Sequence, residues 1–250
     1  MIQLLKQGPI QAGVTLKNND YPSSFSMSLH TGHPDREVIQ NREVLAMTLG
    51  YTLNDFVFAN QTHSDNVYKV TARDKGRGAR SLDDAVPHTD ALYTTESNIV
   101  LVTMVADCVP IIFYNEKANI IGVIHSGWQG TVKEIVPKTF ESIVNNENVA
   151  IEDFHLYVGL SISQEKFEVD RDVYELFAAL GYANDAITYK EETNKWHIDT
   201  KRVIQHQIES LGIPKEQITI DTTCTFDAVT GFSYREERNC GRHAAFIVQR

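Results

Sequence analysis

The chain has little cysteine, no excess of positive charge and no long hydrophobic run. Three cysteines in 250 residues, an odd number set far apart, do not make a disulfide scaffold and fit a reducing compartment. Twenty-three basic against thirty-three acidic side chains leave a formal net charge of -10. That balance argues against nucleic acid or an anionic membrane as partner, while leaving room for a local basic pocket. No apolar run approaches the roughly 20 residues of a membrane span. Met1 to Lys6 lacks the h-region and cleavage site of a signal peptide, so a cytoplasmic location is expected. Internal repeats, low-complexity segments, a Walker phosphate loop and an Asp-Gly-rich Ca²⁺ loop are also missing.

What is present is an ordinary globular composition, 42% hydrophobic and 22% charged, in a chain long enough to bury a substantial core. The central stretch runs from Thr103 to Gly130. Two apolar runs rich in β-branched residues flank the polar link Asn115 to Asn119 and predict two adjacent buried strands. Asp107 and Cys108 follow the apolar run Ile99 to Ala106, and His125 and Ser126 end the run after the link. Pro110 lacks a ladder donor, which predicts a break or bulge just after Cys108.

Other segments follow the same logic. Strands are expected at residues 10–16, 25–29, 56–59, 67–70, 89–93, 154–160, 218–220 (continued to 225 as a polar segment), 232–235 and 245–248. Helices are expected from Arg36 to Leu49 with Asp35 as N-cap, from Trp128 to about Val144, from Arg171 to Leu180 with Asp170 as N-cap, and from Asp199 or Thr200 to Leu211. Pro137 is tolerable only near the first turns of its helix or as a kink. The glycine-rich charged run Arg73 to Arg80 predicts a mobile surface loop. Strands and helices intermix without strict alternation, which predicts an α+β fold rather than a doubly wound sheet.

His63, in a polar loop between two apolar strands, joins Cys108 and His125 as a candidate site. Two imidazoles and a thiol are the right kind and number of ligands for catalytic zinc, and copper is tolerated by the same donors. Cys108 and His125 alone could instead form a nucleophile–base pair, as in a metal-free hydrolase or deamidase. A metal-binding module without turnover is the remaining alternative. Asp107, beside a ligand, is a candidate partner to it or proton shuttle. Arg42, Arg235 and Arg242 could bind phosphate or nucleoside through bidentate hydrogen bonds. Cys224 is expected as a buried neutral thiol and Cys240 as exposed; His30, His33 and His88 are set aside as solvated.

Ala106-Asp107-Cys108-Val109-Pro110 and His125-Ser126-Gly127-Trp128-Gln129-Gly130 resemble the signature of the laccase-domain family. Gln61-Thr62-His63, Asp90-Ala91-Leu92, Phe167-Glu168-Val169, Phe232 to Arg235 and Gly241-Arg242 are similar to further motifs of that family. The resemblance implies one domain over residues 1–250, a layered α/β/β/α arrangement of mixed sheets, and a metal held by His63, Cys108 and His125. It also implies purine nucleoside phosphorolysis (adenosine, inosine, methylthioadenosine) with adenosine deaminase activity, the substrates being nucleosides and phosphate. The multicopper oxidase label once attached to the family is opposed by composition: among nine histidines there is no His-x-His pair of the kind a trinuclear copper cluster needs. The zinc-deaminase signature His-x-Glu with Pro-Cys-x-x-Cys is absent too. Gln129, Leu160 and Glu236 depart from the usual Arg, Pro and Arg of the family, so phosphate binding is expected to be weaker than in relatives.

Overall fold

The computed structural model describes residues 2–250, with side chains from residue 8 onward. Its strands in chain order are β1 (Ile2–Gln7), β2 (Ile10–Thr15), β3 (Phe56–Phe58), β4 (Val67–Lys69), β5 (Ala91–Thr94), β6 (Val100–Val105) and β7 (Val109–Asn115). They continue as β8 (Ile120–Ser126), β9 (His155–Val158), β10 (Glu168–Val169), β11 (Ile187–Lys190), β12 (Lys195–Ile198), β13 (Ile218–Ile220) and β14 (His243–Gln249). The helices are α1 (Asp35–Leu49), α2 (Trp128–Val132), α3 (Ile135–Glu147), α4 (Arg171–Ala178) and α5 (Thr200–Ser210).

Two mixed sheets lie face to face. One is ordered β1-β2-β14-β6-β3 and the other β13-β9-β7-β8-β5-β4, each combining parallel and antiparallel pairs. Val14, Leu101 and Ile247 of the first sheet meet Ile112, Val123 and Tyr157 of the second. The outer face of the first sheet, with Phe56, Val102 and Phe246, is covered by Leu45 and Leu49 of α1. The outer face of the second, with Ile111, Phe113 and Ile124, is covered by α3 and α5 through Phe140, Ile204 and Ile208. The arrangement is therefore an α+β fold of four layers, α/β/β/α. Because both faces of β6, β7 and β8 are buried, their sequences are continuous apolar runs rather than alternating ones. Register in the β7–β8 hairpin sets Phe113 opposite Gly122. A Cβ at Gly122 would stand 2.0 Å from the Phe113 ring, so the glycine is what lets the ring lie across its partner strand. A third sheet, β10-β12-β11, packs with α4 around Val169, Phe177 and Ile198 beside Trp128.

Several expectations need correction. Residues 25–29 are not a strand: a short 3-10 turn, Pro22–Phe25, carries positive φ at Ser23, Ser24 and Phe25. Asp35 lies inside α1, with Pro34 at the cap position. The helix expected at 128–144 is two, broken at Glu134, whose φ is 61°; Pro137 then falls in the first turn of α3, where it displaces no helical hydrogen bond. Asp170 stands at the N-cap position of α4 as expected, but its side chain pairs with Lys195 instead of accepting a helix N–H, whereas Asp199 caps α5 by accepting from the Arg202 N–H at 3.0 Å. Residues 222–225 and 232–235 are loops apart from one bridge between Ser161 and Cys224. The segment 73–80 is packed rather than loose. Ala79 is fully buried, and Gly78 is pressed so close to Phe58 that a Cβ there would lie 2.8 Å from it. The β11–β12 hairpin escaped notice because Thr188, Tyr189 and the charged turn after it are polar and exposed.

Candidate metal centre and active site

β6 belongs to one sheet and β7 to the other, so the chain must cross between them at Ala106-Asp107-Cys108. Asp107 makes that crossing with a left-handed backbone, φ 79°. Its carboxylate accepts the Thr225 hydroxyl and the Arg235 N–H, both at 2.7 Å, which pins the turn to the C-terminal loops. Cys108 is thereby delivered, half-buried, to the mouth between the sheets. His125 arrives on β8, buried, and His63 on the loop after β3, also with a positive φ of 57°. The side chain of Gln61 fixes the start of that loop by exchanging two 2.8 Å hydrogen bonds with the backbone of Met104 on β6.

The three residues meet. One ligand atom from each of His63, Cys108 and His125 lies within 4.8 Å of the others, and His63 Nε2 is 3.8 Å from Cys108 Sγ. They are the one such His/Cys/Asp/Glu group of three or more among the described residues. Gly127 makes their approach sterically feasible. A Cβ there would come within 2.6 Å of His63 Cδ2 and 2.9 Å of Cys108 Sγ.

Behind them sits Asp90, a residue that motif spacing alone did not single out for a role. One oxygen of its buried carboxylate accepts from His125 Nδ1 at 2.7 Å and the His63 N–H at 3.1 Å. The other accepts from the Thr62 N–H at 3.2 Å, the Ser64 N–H at 2.7 Å and the Ser64 hydroxyl at 2.6 Å. A single carboxylate thus orients one imidazole and shapes the loop that carries the other. Since Nδ1 of His125 faces Asp90, Nε2 is the ring nitrogen left to face Cys108, the arrangement in which a metal-ligating histidine is held once a cation replaces the Nε2 proton. The Asp107 carboxylate, expected beside the cluster, is turned to Thr225 and Arg235, whereas Asp90 bonds the His125 ring itself. The signal in the sequence was present: an acidic residue opening the strand that pairs with the histidine strand.

The charges are mutually dependent. Burial raises the Cys108 thiol, but His125 and then His63 outweigh it and bring the pKa down to about 6. Burial lowers His125, yet the Cys108 thiolate and Asp90 raise it to about 9. Burial raises Asp90, while His125 and Ser64 hold it at about 2. The result is a thiolate–imidazolium–carboxylate row, and a metal cation could replace the imidazolium proton. A tetrahedral zinc site with its usual bond lengths has ligand–ligand edges of about 3.4–3.6 Å. The donor set fits the ion in kind and number, with modest closing of the three side chains.

Two lobes flank the cluster and share His63, Ala106, Cys108, Trp128 and Tyr234. The first, about 390 Å³, is completed by residues including His30, Gln129 and Arg242; the second, about 400 Å³, by residues including Ile162, Phe167, Arg235 and Arg238. Arg235 lines its lobe, but its guanidinium donates to the carbonyls of Lys166 and Glu168, each at 3.0 Å. Arg42 does not line the cleft. It is fully buried under α1, donating to the carbonyls of Met27, Gly78 and Ala79 at 2.7–2.9 Å. Its helix faces the core of the fold and not the site, which a one-dimensional pattern does not reveal. His30, set aside in the sequence, belongs to the first lobe, and Cys240 is buried against Ala106 and Phe232. Gln129 lines the first lobe whereas Glu236 is exposed and lines neither.

With this geometry in view, the chain's relatives can be placed. Residues 11–250 match the family described as multi-copper polyphenol oxidoreductase laccase, and the chain belongs to that family. A protein of Staphylococcus saprophyticus named purine nucleoside phosphorylase is 35% identical over 96% of this chain and 92% of its own length. Purine nucleoside phosphorylase YlmD of Bacillus subtilis is 34% identical over 94% of this chain and 87% of its own. Among solved structures, the Bacillus licheniformis hypothetical protein YfiH superposes with a TM-score of 0.92 at 30% identity, covering 99% of both chains. YlmD from Geobacillus stearothermophilus does so at 0.91 and 31%, covering 97% of this chain and 93% of its own. No helix among the described residues is long and apolar enough to cross a membrane.

Proposed function

We propose that this chain is a metal-dependent purine nucleoside enzyme that phosphorolyses adenosine, inosine and methylthioadenosine and also deaminates adenosine. The observation that carries the reading is the His63–Cys108–His125 cluster at the junction of two lobes, in a chain whose relatives are named purine nucleoside phosphorylases. Zinc is the ion that a thiolate and two imidazoles suit best, with copper the alternative they tolerate. When bound, it supplies Lewis acidity.

The chain's own residues do the rest. Asp90 keeps the His125 Nδ1 proton and so directs Nε2 to the cluster, while its contacts to residues 62–64 hold His63 in register. Trp128, Tyr234 and Phe167 offer flat apolar walls for a purine. In phosphorolysis an orthophosphate oxygen takes over C1′ as the N9–C1′ bond breaks, and the base leaves with the bonding pair and gains a proton. In deamination water replaces the 6-amino group, which leaves as ammonia. Both substrates are small molecules, and a cytoplasmic location accords with the composition.

The test is anaerobic purification followed by metal analysis and turnover of adenosine and inosine, with and without phosphate, on one sample. About one zinc per chain with phosphate-dependent release of base is expected, and Cys108→Ala is expected to lose both. Stoichiometric metal in Cys108→Ala would remove Cys108 from the ligand set. Full turnover by a metal-free preparation would favour a Cys108–His125 hydrolase, for which the depressed thiol pKa of about 6 is the supporting feature.

A further inference from the structure

The two lobes differ in charge. Of the ionisable side chains lining the first, His30, His63, Cys108, His125, Tyr234 and Arg242, none is a carboxylate. That is unusual company in a chain of net charge -10. Arg242 is half-buried and forms no ion pair with a carboxylate among the described residues. Its Nη1 donates to the Cys240 carbonyl at 2.7 Å and the Gly241 carbonyl at 3.0 Å. Those bonds aim the fork and leave Nε and Nη2 without hydrogen-bond partners among the described residues, and the Tyr234 ring lies 5.5 Å from the guanidinium carbon. His30 is anchored through Nδ1 to the Ser28 hydroxyl at 2.8 Å, which leaves Nε2 available. Gln61 and Gln129 add amide groups to the same wall.

The second lobe is built otherwise. Each terminal nitrogen of Arg235 gives one N–H to a carbonyl, so that the fork is spread along residues 166–168, and its guanidinium lies over the Phe167 ring at 5.6 Å. Arg238 is exposed there and shares the lobe with the Asp107 carboxylate. Its remaining walls are Trp128, Ile162, Phe167 and Tyr234.

We propose that the first lobe is an oxyanion subsite, with Arg242 and His30 holding orthophosphate beside the His63–Cys108–His125 cluster, and that the aromatic second lobe receives the nucleoside base. This rests on the phosphorolytic reading given above. A partly desolvated guanidinium with free N–H groups and no carboxylate partner is stabilised by an incoming oxyanion, which it binds through two parallel charge-assisted bonds. The phosphate then approaches from one side of the cluster and the base leaves on the other, so neither has to pass its partner.

The probe is inorganic phosphate alone, titrated calorimetrically into the purified full-length protein, alongside steady-state Michaelis constants for phosphate and for adenosine in deamination. Losing a charged hydrogen-bonding partner is expected to weaken phosphate by about 10-fold or more in Arg242→Gln. His30→Ala is expected to weaken it about threefold, a neutral bond being the smaller contribution. Arg171→Gln, an exposed control that removes the same charge from α4, leaves phosphate binding unchanged. The adenosine constant in deamination moves less than about threefold in Arg242→Gln if the lobes are separate. The assignment is overturned by a folded Arg242→Gln that binds phosphate within twofold of the parent, or by a parent that binds none. Should Arg242→Gln not fold, His30→Ala decides, an unchanged phosphate affinity again overturning it. A parent that binds phosphate through Arg242 yet phosphorolyses no nucleoside keeps the subsite and sinks the purine reading instead.

Discussion

Beneath α1 the guanidinium of Arg42 donates to three carbonyls and lies 3.9 Å from the Phe58 ring. At the start of β5 the carboxylate of Asp90 accepts three backbone N–H groups, a hydroxyl and an imidazole. Both side chains are charged, buried and satisfied. Burial lowers Arg42 to about 9, where it still carries its charge at neutral pH, and Asp90 sits near 2. The difference lies in the partners. The three carbonyl partners of Arg42 belong to the scaffold and tie Met27, Gly78 and Ala79 into the layer under α1, and its one other partner is the weakly accepting Met104 sulfur at 3.6 Å. Two partners of Asp90 belong to residues that converge on the open mouth between the sheets. A buried charge therefore marks function only when something in its hydrogen-bonding circle still has a free atom facing a cavity.

Removing each charge sharpens that contrast. The largest effect is expected from Arg42→Ala, which leaves three carbonyls without donors and a void beside Phe58, and should cost roughly 3–5 kcal/mol of stability. Denaturant titration measures it, and metal content of the folded fraction should stay that of the parent. A loss of metal at unchanged stability would break the comparison.

A third buried polar residue extends it. His243 accepts the Phe232 N–H at Nε2 and donates Nδ1–H to the Thr15 carbonyl, both at 2.7 Å, so the folded ring has no room for a second proton. Burial is the main cause of its fall from 6.5 to about 4, with Arg242 and Lys17 lowering it further against the Thr15 carbonyl. Because the unfolded chain binds the proton first, this contribution is complete above about pH 6.5 and is lost as pH falls toward 4, on the order of 3 kcal/mol in all. Urea unfolding at pH 7 and pH 4.5 should show the loss, and His243→Phe should flatten it. An equal slope in both proteins would remove His243 from the account.

Asp90→Asn comes next. The amide keeps one acceptor but loses charge, and metal affinity should fall by about 10–100-fold with only a small drop in melting temperature. Competition with a chelator reads the affinity directly. Unfolding without a change in affinity would make Asp90 a second Arg42. The smallest effect is expected at Gln129, the departure from the family pattern that does line the phosphate lobe. Gln129→Arg should lower the Michaelis constant for phosphate several-fold, by one added charged contact at a solvent-open wall. Glu236→Arg, outside both lobes, should change it little.

Much of this was legible in one dimension, where local rules dominate. Continuous β-branched runs marked β6, β7 and β8, and the start of α5 at Asp199 and the end of α1 at Leu49 were marked too, because period, turn and capping chemistry act over a few residues. Cys108 and His125 stood out as polar residues at the ends of buried runs, and His63 as a histidine in a polar loop between two apolar strands. What tertiary structure alone decided was partnership. Asp90 meets His125 across 35 residues and Arg42 meets Gly78 across 36, while Arg242 shares a lobe with His30 from the far end of the chain. No sequence period encodes those distances. They are set by which sheet each strand joins and by the left-handed turn at Asp107 that carries the chain from one sheet to the other. Hydrogen-bond satisfaction of buried charge then selects, from many polar residues of similar appearance, the few whose free atoms face the cleft.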